Sequence, residues 1–527
     1  MTDALAENEQ SVTFEENHMN TTSYGDSNDE SLPTCVYALD PRPSGLGIAS
    51  ATSTSKSQSQ NSKSQSRDDK FWQNLVPTGV SWSSTGHSIA VSYGRFDVTG
   101  WCDSPGALCV WNLRKQSIDP KKPDHAFETD SCLQSVSCHP TVPSLICAGS
   151  FDGEVYVWDV SGGEGNGGQG DSSDDDSDLK SPNSRVVNTQ AEYLRARSAV
   201  SDASHREPVT SVAWLKNASA TASRFSKTAT HEVVSFGSDG RVLVWDFTKV
   251  ETGSGDRSVN GKTEKGSRRM PFPQFGWETK SQNSGTGKML VNGIAAASFF
   301  EPTKGTGSVR RDGVSSNRFL IGCDSGNVYE CTTKGYSETA STGFYKKSLA
   351  DGNGAPQMKS PIVSTHESHS GAVHGIALNR FSDTLFASVG ADGSLKIHNR
   401  KTQKKVLSCE PKCGALFCAK WSPSKPLLIA AGTANGTVVL YDLAGGGSGD
   451  SGGIAGDILD SVAPVAELTG CRLGTPTQAI AFNEKLPEYL ASADGGAVRI
   501  WELGAWFINP KQNETNALRN LTGEGGG

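Results

Sequence analysis

Residues 239–245 read Asp-Gly-Arg-Val-Leu-Val-Trp, a turn followed by a short strand that ends on an aromatic side chain. The same spacing, in which an aromatic residue or its substitute follows a glycine by five positions, occurs seven times in the 527 residues. The seven copies are Gly106–Trp111, Gly153–Trp158, Gly240–Trp245, Gly326–Cys331, Gly393–His398, Gly436–Tyr441 and Gly496–Trp501. A pattern that returns this often at one fixed internal spacing indicates a repeat protein.

Each copy follows two further segments with the composition of β-strands. In the third copy these segments are Val209–Leu215 and Glu232–Gly237. In other copies, turn formers such as His139-Pro140 and Ser422-Pro423 separate them. Strands joined by such turns form an antiparallel meander, and radial repetition of a meander builds a β-propeller. The sequence therefore predicts an all-β fold, a seven-bladed β-propeller, preceded by a disordered N-terminal arm.

The third copy resembles the WD-repeat family. His205, Ser235, Asp239 and Trp245 fall where that family places a buried, hydrogen-bonded set. The resemblance covers about residues 71–505 and implies a structural role for these four residues and their counterparts in other copies. The counterparts are Trp111, Asp152, Trp158, His369, Ser388, Asp392 and Trp501, with His398 in place of the tryptophan in the fifth copy.

The spacing between copies locates the insertions. Seven repeats of about 42 residues occupy roughly 294 positions, which leaves about 140 residues of insertion within 71–505. The excess falls in five polar, Gly- or Ser-rich segments, which we expect to be solvated loops. These segments are 161–203, 251–288, 304–317, 332–367 and 444–461. Residues 1–70 are the predicted arm and 506–527 a C-terminal tail. The outer strand of the last blade could come from Thr34–Leu39, Lys70–Leu75 or Ala505–Leu521.

No pattern in the sequence indicates an active site, a metal site or a nucleic-acid surface. The net charge of −8 argues against a large basic nucleic-acid surface, and the 12 cysteines lack the paired spacing of zinc sites. We expect no catalytic residues, no metal, no cofactor and no membrane insertion. Segments 163–168, 284–288 and 449–453 imitate dinucleotide, phosphate and serine-protease motifs, but all three lie in polar insertions. If the protein were an enzyme, Ser451 or His374 would be the nominal centre.

Several stretches resemble the dynein intermediate chains, in particular those of cytoplasmic dynein 2, the motor of retrograde intraflagellar transport. They are Val80–Asp97, Gly106–Leu113, Ser137–Ser144, Gly153–Asp159, His205–Leu215 and Trp421–Leu427. The resemblance implies a non-catalytic motor subunit that binds a dynein heavy chain, dynein light chains and a second intermediate chain. It also implies a location in the cytoplasm, the cytoskeleton and the cilium or flagellum, including the basal body region. Another WD-repeat scaffold, such as an axonemal dynein intermediate chain or a ubiquitin-ligase adaptor, is the alternative.

The arm carries two near copies of a short motif. Residues 1–40 contain nine Asp or Glu and no Lys or Arg, and 51–67 is Ser-rich, so this part cannot bury enough apolar surface to fold alone. The motifs resemble the Thr-Gln-Thr core that dynein light chains bind, with serine replacing threonine. Their residues are Lys56, Ser57, Gln58 and Ser59, and Lys63, Ser64, Gln65 and Ser66. A plain spacer remains the alternative, and Thr189-Gln190 is a rival core.

Overall fold

The structure, a computed structural model, describes most of the repeat region and short parts of the arm and tail. The described residues are 22–23, 32–42, 71–72, 74–97, 104–161, 193–216, 231–248, 250–252, 258–259, 262–263, 268–270, 273–282, 289–299, 318–333, 358–444, 463–469, 475–511 and 514–523.

Seven sheets contain the four strands of one blade each, and these four strands are antiparallel to one another. Blade 1 is Val76–Trp82, Ser88–Gly94, Gly106–Asn112 and His125–Thr129. Blade 2 is Leu133–Cys138, Leu145–Ser150, Val155–Asp159 and Leu194–Ser198. Blade 3 is Val209–Lys216, His231–Gly237, Arg241–Trp245 and Phe275–Glu278. Blade 4 is Ile294–Phe299, Arg318–Cys323, Val328–Thr332 and Ile362–His366.

The remaining three blades have the same order of strands. Blade 5 is Val373–Leu378, Leu385–Gly390, Leu395–Asn399 and Lys404–Cys409. Blade 6 is Leu416–Trp421, Leu428–Thr433, Val438–Asp442 and Ala466–Leu468. Blade 7 is Ala479–Phe482, Tyr489–Ala493, Val498–Glu502 and, from the start of the chain, Thr34–Leu39. The predicted seven-bladed β-propeller is thereby confirmed.

The repeated aromatic position is the centre of each blade. It lies on the third strand, and its side chain is at most 1% exposed in every blade, including the substitutes Cys331, His398 and Tyr441. In blades 2 to 6 the repeated glycine ends the turn before that strand, as at Gly240, whose N–H bonds to the Gly237 carbonyl. In blades 2 to 6 its φ lies between 75° and 87°, a region that side chains disfavour, as at Gly240. The repeated sequence pattern therefore records two features of each blade: a turn that favours glycine and a buried side chain at the centre of the third strand.

The ring closes through a strand from the N-terminal arm. The first strands of neighbouring blades pack against each other all the way round, and Val76–Trp82 packs against Ala479–Phe482. Thr34–Leu39 pairs antiparallel with Val498–Glu502 and completes blade 7. Of the three candidate closing segments, the structure therefore selects Thr34–Leu39. The predicted boundary at residue 70 is wrong here, because this strand belongs to the propeller.

Three of the segments expected to be solvated loops contain the fourth strand of a blade. Leu194–Ser198 lies within 161–203, Phe275–Glu278 within 251–288 and Ile362–His366 within 332–367. The prediction failed because a four- or five-residue edge strand gives little signal beside long polar sequence. Two blades gain further strands: Arg268–Met270 and Glu251–Thr252 extend blade 2, and Thr22–Ser23 extends blade 6. Residues 304–317 and 445–461 lie outside the described residues.

The two ends of the propeller differ. We call the end that carries the turns at Gly153, Gly240, Gly326, Gly393 and Gly436 the upper face. Because the strands of a blade alternate in direction, the links between blades also lie on the upper face. The links from first to second strand and from third to fourth strand lie on the opposite end, the lower face. The connections that contain the long inserted segments are of this second kind, except for the end of segment 251–288, since Lys280–Gln282 lies in the link between blades 3 and 4.

The C-terminal tail is part of the folded domain. Helix α1, Ala505–Ile508, and helix α2, Glu514–Thr522, follow blade 7. The ammonium of Lys425, which is fully buried, lies 2.8 Å from Asp442 and 3.5 Å from Glu514. A buried charge is tolerated only with such partners, so this cluster anchors α2 below blade 6. Neither described helix is long and apolar enough to cross a lipid bilayer.

We expect ring closure to fail without the arm strand. A chain that begins at residue 43 lacks Leu39, which is fully buried, and leaves the outer edge of Val498–Glu502 unpaired. Loss of the Leu39 side chain alone typically costs about 2–5 kcal/mol. A chain that begins at residue 32 is the matched control. Thermal unfolding should give a clearly lower Tm for the shorter chain only, and equal values for both would contradict this closure.

Candidate functional site

The complete hydrogen-bonded set of blade 3 includes residues from its second and third strands, from the turn between them and from the loop before the blade. His205 Nε2 lies 2.7 Å from Ser235 Oγ, and His205 Nδ1 lies 3.0 Å from Asp239 Oδ1. Trp245 Nε1 donates to Ser235 Oγ over 2.8 Å. Asp239 also accepts the backbone N–H groups of Arg206 and Arg241. The four residues thus form a relay from the core of the blade to its upper turn.

Blade 5 builds the same relay with a histidine in place of tryptophan. His369 Nε2 lies 2.7 Å from Ser388 Oγ, and His369 Nδ1 lies 2.9 Å from Asp392 Oδ1. His398 Nε2 lies 2.7 Å from Ser388 Oγ, at the place where Trp245 donates in blade 3. The imidazole of His398 therefore supplies the N–H that the indole supplies elsewhere.

The proton positions in this relay follow from its acceptors. The Asp392 carboxylate can only accept, so His369 Nδ1 carries a proton and its Nε2 accepts from Ser388. The Ser388 oxygen then accepts from His398 Nε2–H, and burial of the ring with no partner for Nδ1 favours the neutral imidazole. Burial, with smaller contributions from His366 and His369, lowers the pKa of His398 to about 3. Burial opposes ionisation of Asp392, but hydrogen bonds from His369 and Ser394 outweigh it and lower the pKa of this carboxyl.

The other blades retain only parts of the relay. In blade 7, Trp501 Nε1 donates to Ser492 Oγ over 2.9 Å. In blades 1 and 2, the indole N–H groups of Trp111 and Trp158 are buried without a hydrogen-bond partner. Asp152, predicted to join a buried set, is instead exposed in its turn. The two complete relays, in blades 3 and 5, accompany the two copies in which the histidine is present.

A second set of polar side chains joins the first strands of neighbouring blades near the upper face. Each donates to a backbone carbonyl at the start of the next blade's first strand. The pairs are Thr78 to Leu133 (2.8 Å), Ser135 to Val209 (3.0 Å), Thr210 to Ile294 (2.7 Å), His374 to Leu416 (3.1 Å) and Cys418 to Thr477 (3.5 Å). His374, the nominal catalytic candidate, therefore has a structural partner.

Three tryptophans make the corresponding bonds near the lower face, in the opposite direction. Trp82 Nε1 donates to the carbonyl of Ala481 in blade 7, at 2.9 Å. Trp214 donates to Ser137 in blade 2, and Trp421 to Ala377 in blade 5. Each tryptophan is at or near the end of a first strand and reaches the first strand of the preceding blade. Sequence reasoning used these residues only as signs of resemblance and missed this role.

The lower turns are fixed by one polar side chain directly after the first strand. Asn379 Oδ1 accepts the backbone N–H groups of the residues two and three positions later, at 2.8 and 3.1 Å. His139, Ser422 and Asn483 make the same pair of bonds in blades 2, 6 and 7. Such side-chain acceptors replace a backbone turn, and this is why the His-Pro and Ser-Pro sequences occur here.

The described residues contain no cluster of three or more His, Cys, Asp or Glu that could hold a metal ion. Burial raises the pKa of the Cys138, Cys323, Cys409 and Cys418 thiols to about 12, so these cysteines are packing residues. Segments 163–168, 284–288 and 449–453, with Ser451, lie outside the described residues. So do the two motifs with Gln58 and Gln65, and Thr189-Gln190.

The comparisons with known proteins agree with this architecture. The family described as WD domain, G-beta repeat, matches residues 123–159, 360–399 and 402–442. The chain is 28% identical to cytoplasmic dynein 2 intermediate chain 2 of Mus musculus over 86% of its own length and 70% of that protein. The Homo sapiens protein of the same name is 26% identical over the same shares. Dynein intermediate chain 2, ciliary, of Heliocidaris crassispina is 23% identical over 85% of this chain and 49% of its own.

The relay in blade 3 can be tested with one matched pair of variants. Trp245→Phe removes an indole N–H that bonds to Ser235, whereas Trp158→Phe removes one that has no partner. The first should lose about 1 kcal/mol more unfolding free energy than the second, because it also leaves Ser235 without a donor. Trp245→Ala should cost about 3–5 kcal/mol. Urea unfolding at pH 7 gives all three values, and equal losses for the two Phe variants would contradict the relay.

The blade 5 relay should make stability depend on pH. His398 has a folded pKa of about 3 and an ordinary value near 6.5 when unfolded. Since only the unfolded chain binds this proton between those values, stability is lost as pH falls below about 6.5, by about 2 kcal/mol at pH 5. His398→Gln keeps an N–H donor but cannot titrate. Urea unfolding at pH 7 and pH 5 should therefore show a smaller loss for this variant, and identical losses would disprove the assignment.

Proposed function

We propose that this chain, a WD-repeat β-propeller protein homologous to dynein intermediate chains, is the intermediate chain of a cytoplasmic dynein 2. Its propeller would bind the motor heavy chain and its arm would bind light chains, while ATP hydrolysis would reside on the heavy chain. In this role it would support retrograde intraflagellar transport and the assembly and maintenance of cilia. Its location would be the cytoplasm, the cytoskeleton and the cilium or flagellum, including the basal body region.

One observation carries the proposal more than any other. The similarity to the mouse and human dynein 2 chains extends over 86% of this chain, so it includes much more than the three repeats that the family description matches. Among the described residues, the polar groups of the blades serve the fold, in the two relays and the bonds between first strands. A rigid ring of this kind fits a subunit that holds other proteins.

The position of the light-chain motifs also favours an assembly role. Residues 43–70 link two anchored points, because Arg42 bonds to Gly495 in blade 7 and Trp72 is buried beside blade 1. A light-chain dimer bound at Lys56–Ser66 would thus be held close to the propeller. Such a dimer has two grooves and could bind one motif from each of two chains. Linking two chains in this way raises the effective concentration of the second binding event.

Affinity purification of the tagged full-length chain from ciliated cells tests the role. We expect a dynein heavy chain, small light chains and a second intermediate chain in the eluate, identified by mass spectrometry. Recovery of ubiquitin-ligase subunits without any dynein would overturn the proposal. Recovery of an axonemal heavy chain alone would place the protein with the ciliary relatives instead.

The motifs themselves can be tested separately. Replacing Gln58 and Gln65 together by Ala should reduce light-chain recovery at least about tenfold. Each site binds weakly alone, and binding at one raises the effective concentration of light chain at the other. Heavy-chain recovery and the Tm of the propeller should not change, because the described strands of the seven blades include neither residue. The control is Gln60→Ala, which changes a glutamine between the two motifs. Unchanged light-chain recovery in the double variant would dismiss these motifs.

A further inference from the structure

One hairpin of blade 5 concentrates positive charge. It joins the third strand, Leu395–Asn399, to the outer strand, Lys404–Cys409. Residues 399–409 contain four basic side chains and no acidic one, in a chain whose net charge is −8. Three of the four basic residues are exposed, and we call them the lysine hairpin: Lys401, Lys404 and Lys405.

The hairpin has a fixed shape, so its lysines belong to one surface. Asn399 Oδ1 accepts the backbone N–H of Lys401 over 3.0 Å, and the Asn399 carbonyl accepts the N–H of Gln403 over 2.9 Å. The fourth basic residue, Arg400, is mostly buried, and its guanidinium lies 3.6 Å from the Glu330 carboxylate of blade 4. This ion pair ties the turn to the neighbouring blade, while the three lysines stay at the outer rim of the propeller.

One carboxylate of blade 4 meets the lysine hairpin, but the contact is weak. Lys405 Nζ lies 3.4 Å from Glu367 Oε1, and the two side chains are 45 and 41% exposed. An ion pair between side chains this exposed typically contributes less than about 1 kcal/mol, because water screens it. Glu367 is therefore free to exchange with another carboxylate, and the hairpin suits an acidic partner.

The beginning of the N-terminal arm is attached to the adjacent blade. Thr22–Ser23 pairs antiparallel with Ala466–Leu468, the outer strand of blade 6. Blade 6 has two neighbours. The outer strand of blade 7, Thr34–Leu39, contains no charged residue, whereas the outer strand of blade 5 begins with two of the lysines. Residues 1–21, which lie outside the described residues, are thus tethered at the rim beside one charged neighbour.

This tethered segment has the opposite charge. Residues 1–21 contain no Lys or Arg and five acidic residues, which are Asp3, Glu7, Glu9, Glu15 and Glu16. An extended segment of 21 residues spans roughly 70 Å, and a four-stranded blade is only about 15 Å wide. The segment is therefore long enough to reach the next blade. Its attachment to blade 6 also raises its effective concentration there, so that several weak ion pairs suffice to hold it.

Blade 1 offers a basic link that serves as a comparison. Arg114, Lys121 and Lys122 are exposed between its third and fourth strands. Two carboxylates, those of Asp119 and Asp124, lie in the same link and offset part of its charge. Blade 1 is also two blades away from the pairing strand on blade 6. Both differences favour the lysine hairpin as the site for the acidic segment.

We infer that residues 1–21 of the arm bind the lysine hairpin of blade 5 in the same chain. Their carboxylates pair with the exposed lysines, and Val406, which is 38% exposed on the same strand, offers an apolar contact for Leu5 or Phe14. The contact is exposed and electrostatic, so salt should release it. It concerns this chain alone and does not depend on the proposed motor role.

Cross-linking of the full-length chain tests where the segment binds. A carbodiimide joins an ammonium to a carboxylate only where the two are in contact. In an equal mixture of normal and isotope-labelled chains, we expect cross-links from the acidic residues of 1–21 to the lysine hairpin, identified by mass spectrometry within single chains. High salt should remove these cross-links. Cross-links to Lys121 or Lys122 instead, or links that join a normal to a labelled chain, would overturn the inference.

Proteolysis tests whether the lysines are responsible. Lys401→Gln, Lys404→Gln and Lys405→Gln are combined in one full-length chain, and the matched control combines Arg114→Gln, Lys121→Gln and Lys122→Gln. A Glu-specific protease should cleave within residues 1–21 at least about fivefold faster in the hairpin variant than in the wild type, because three weak ion pairs are lost. The control should be cleaved at the wild-type rate.

Salt gives a check that does not depend on how well the variants fold. High salt should raise the cleavage rate of the wild type to that of the hairpin variant and leave the variant unchanged, after correction for the effect of salt on the protease with a free peptide of residues 1–21. Equal rates for wild type and hairpin variant at low salt would contradict the inference, as would equal acceleration by the control. If the hairpin variant had a lower Tm, the wild-type cross-links and their loss in high salt would decide.

Discussion

The first strand of each blade has a hydrogen-bonded neighbour on one side only, and the structure depends on how its other edge is satisfied. In a closed sheet barrel the next strand would supply this ladder, but in a propeller the next blade is turned away. Side chains replace the ladder: Thr78, Ser135 and Thr210 donate forward to the next blade, and Trp214 donates backward. A buried carbonyl without a partner would cost about 1–3 kcal/mol. These bonds therefore hold neighbouring first strands together around the axis.

This way of closing the ring explains where the chain tolerates insertions. The hydrogen bonds that join first strands of neighbouring blades lie around the central axis. The relays of blades 3 and 5 lie just below the upper turns. Lengthening an upper turn next to Asp239 or Asp392 would separate a carboxylate from the histidine that it orients. The links from third to fourth strand take no part in these relays. Most of the roughly 140 inserted residues lie at these links, away from the central axis.

The sequence contained the repeated turn and the buried ring but not the bonds that join the blades. The seven glycine-to-aromatic spacings were enough to predict the number of blades. The turn position, as at Gly240, accepts few backbone conformations, and the core position, as at Trp245, requires a large side chain. The joint positions admit a hydroxyl, a thiol or an imidazole, as Thr78, Cys418 and His374 show. The residues at these positions have a hydrogen-bond donor in common, but they do not recur at a fixed spacing. The bonds between blades could therefore not be predicted from the sequence. The edge strands were missed because they are short, and the relays were found only where the histidine was present.

The closing strand gives the arm a structural role. Thr34–Leu39 is part of blade 7, and Lys56–Ser66 lies on the only covalent link between that strand and blade 1. That strand is paired along one edge, with Leu39 buried at its end. Under the proposed role, assembly and folding would be coupled, because a partner that shortens the link would keep the closing strand at high effective concentration beside Val498–Glu502. A free N-terminal tail attached only at residue 71 would have no such effect, so the arm is better understood as a bridge across the joint of the ring.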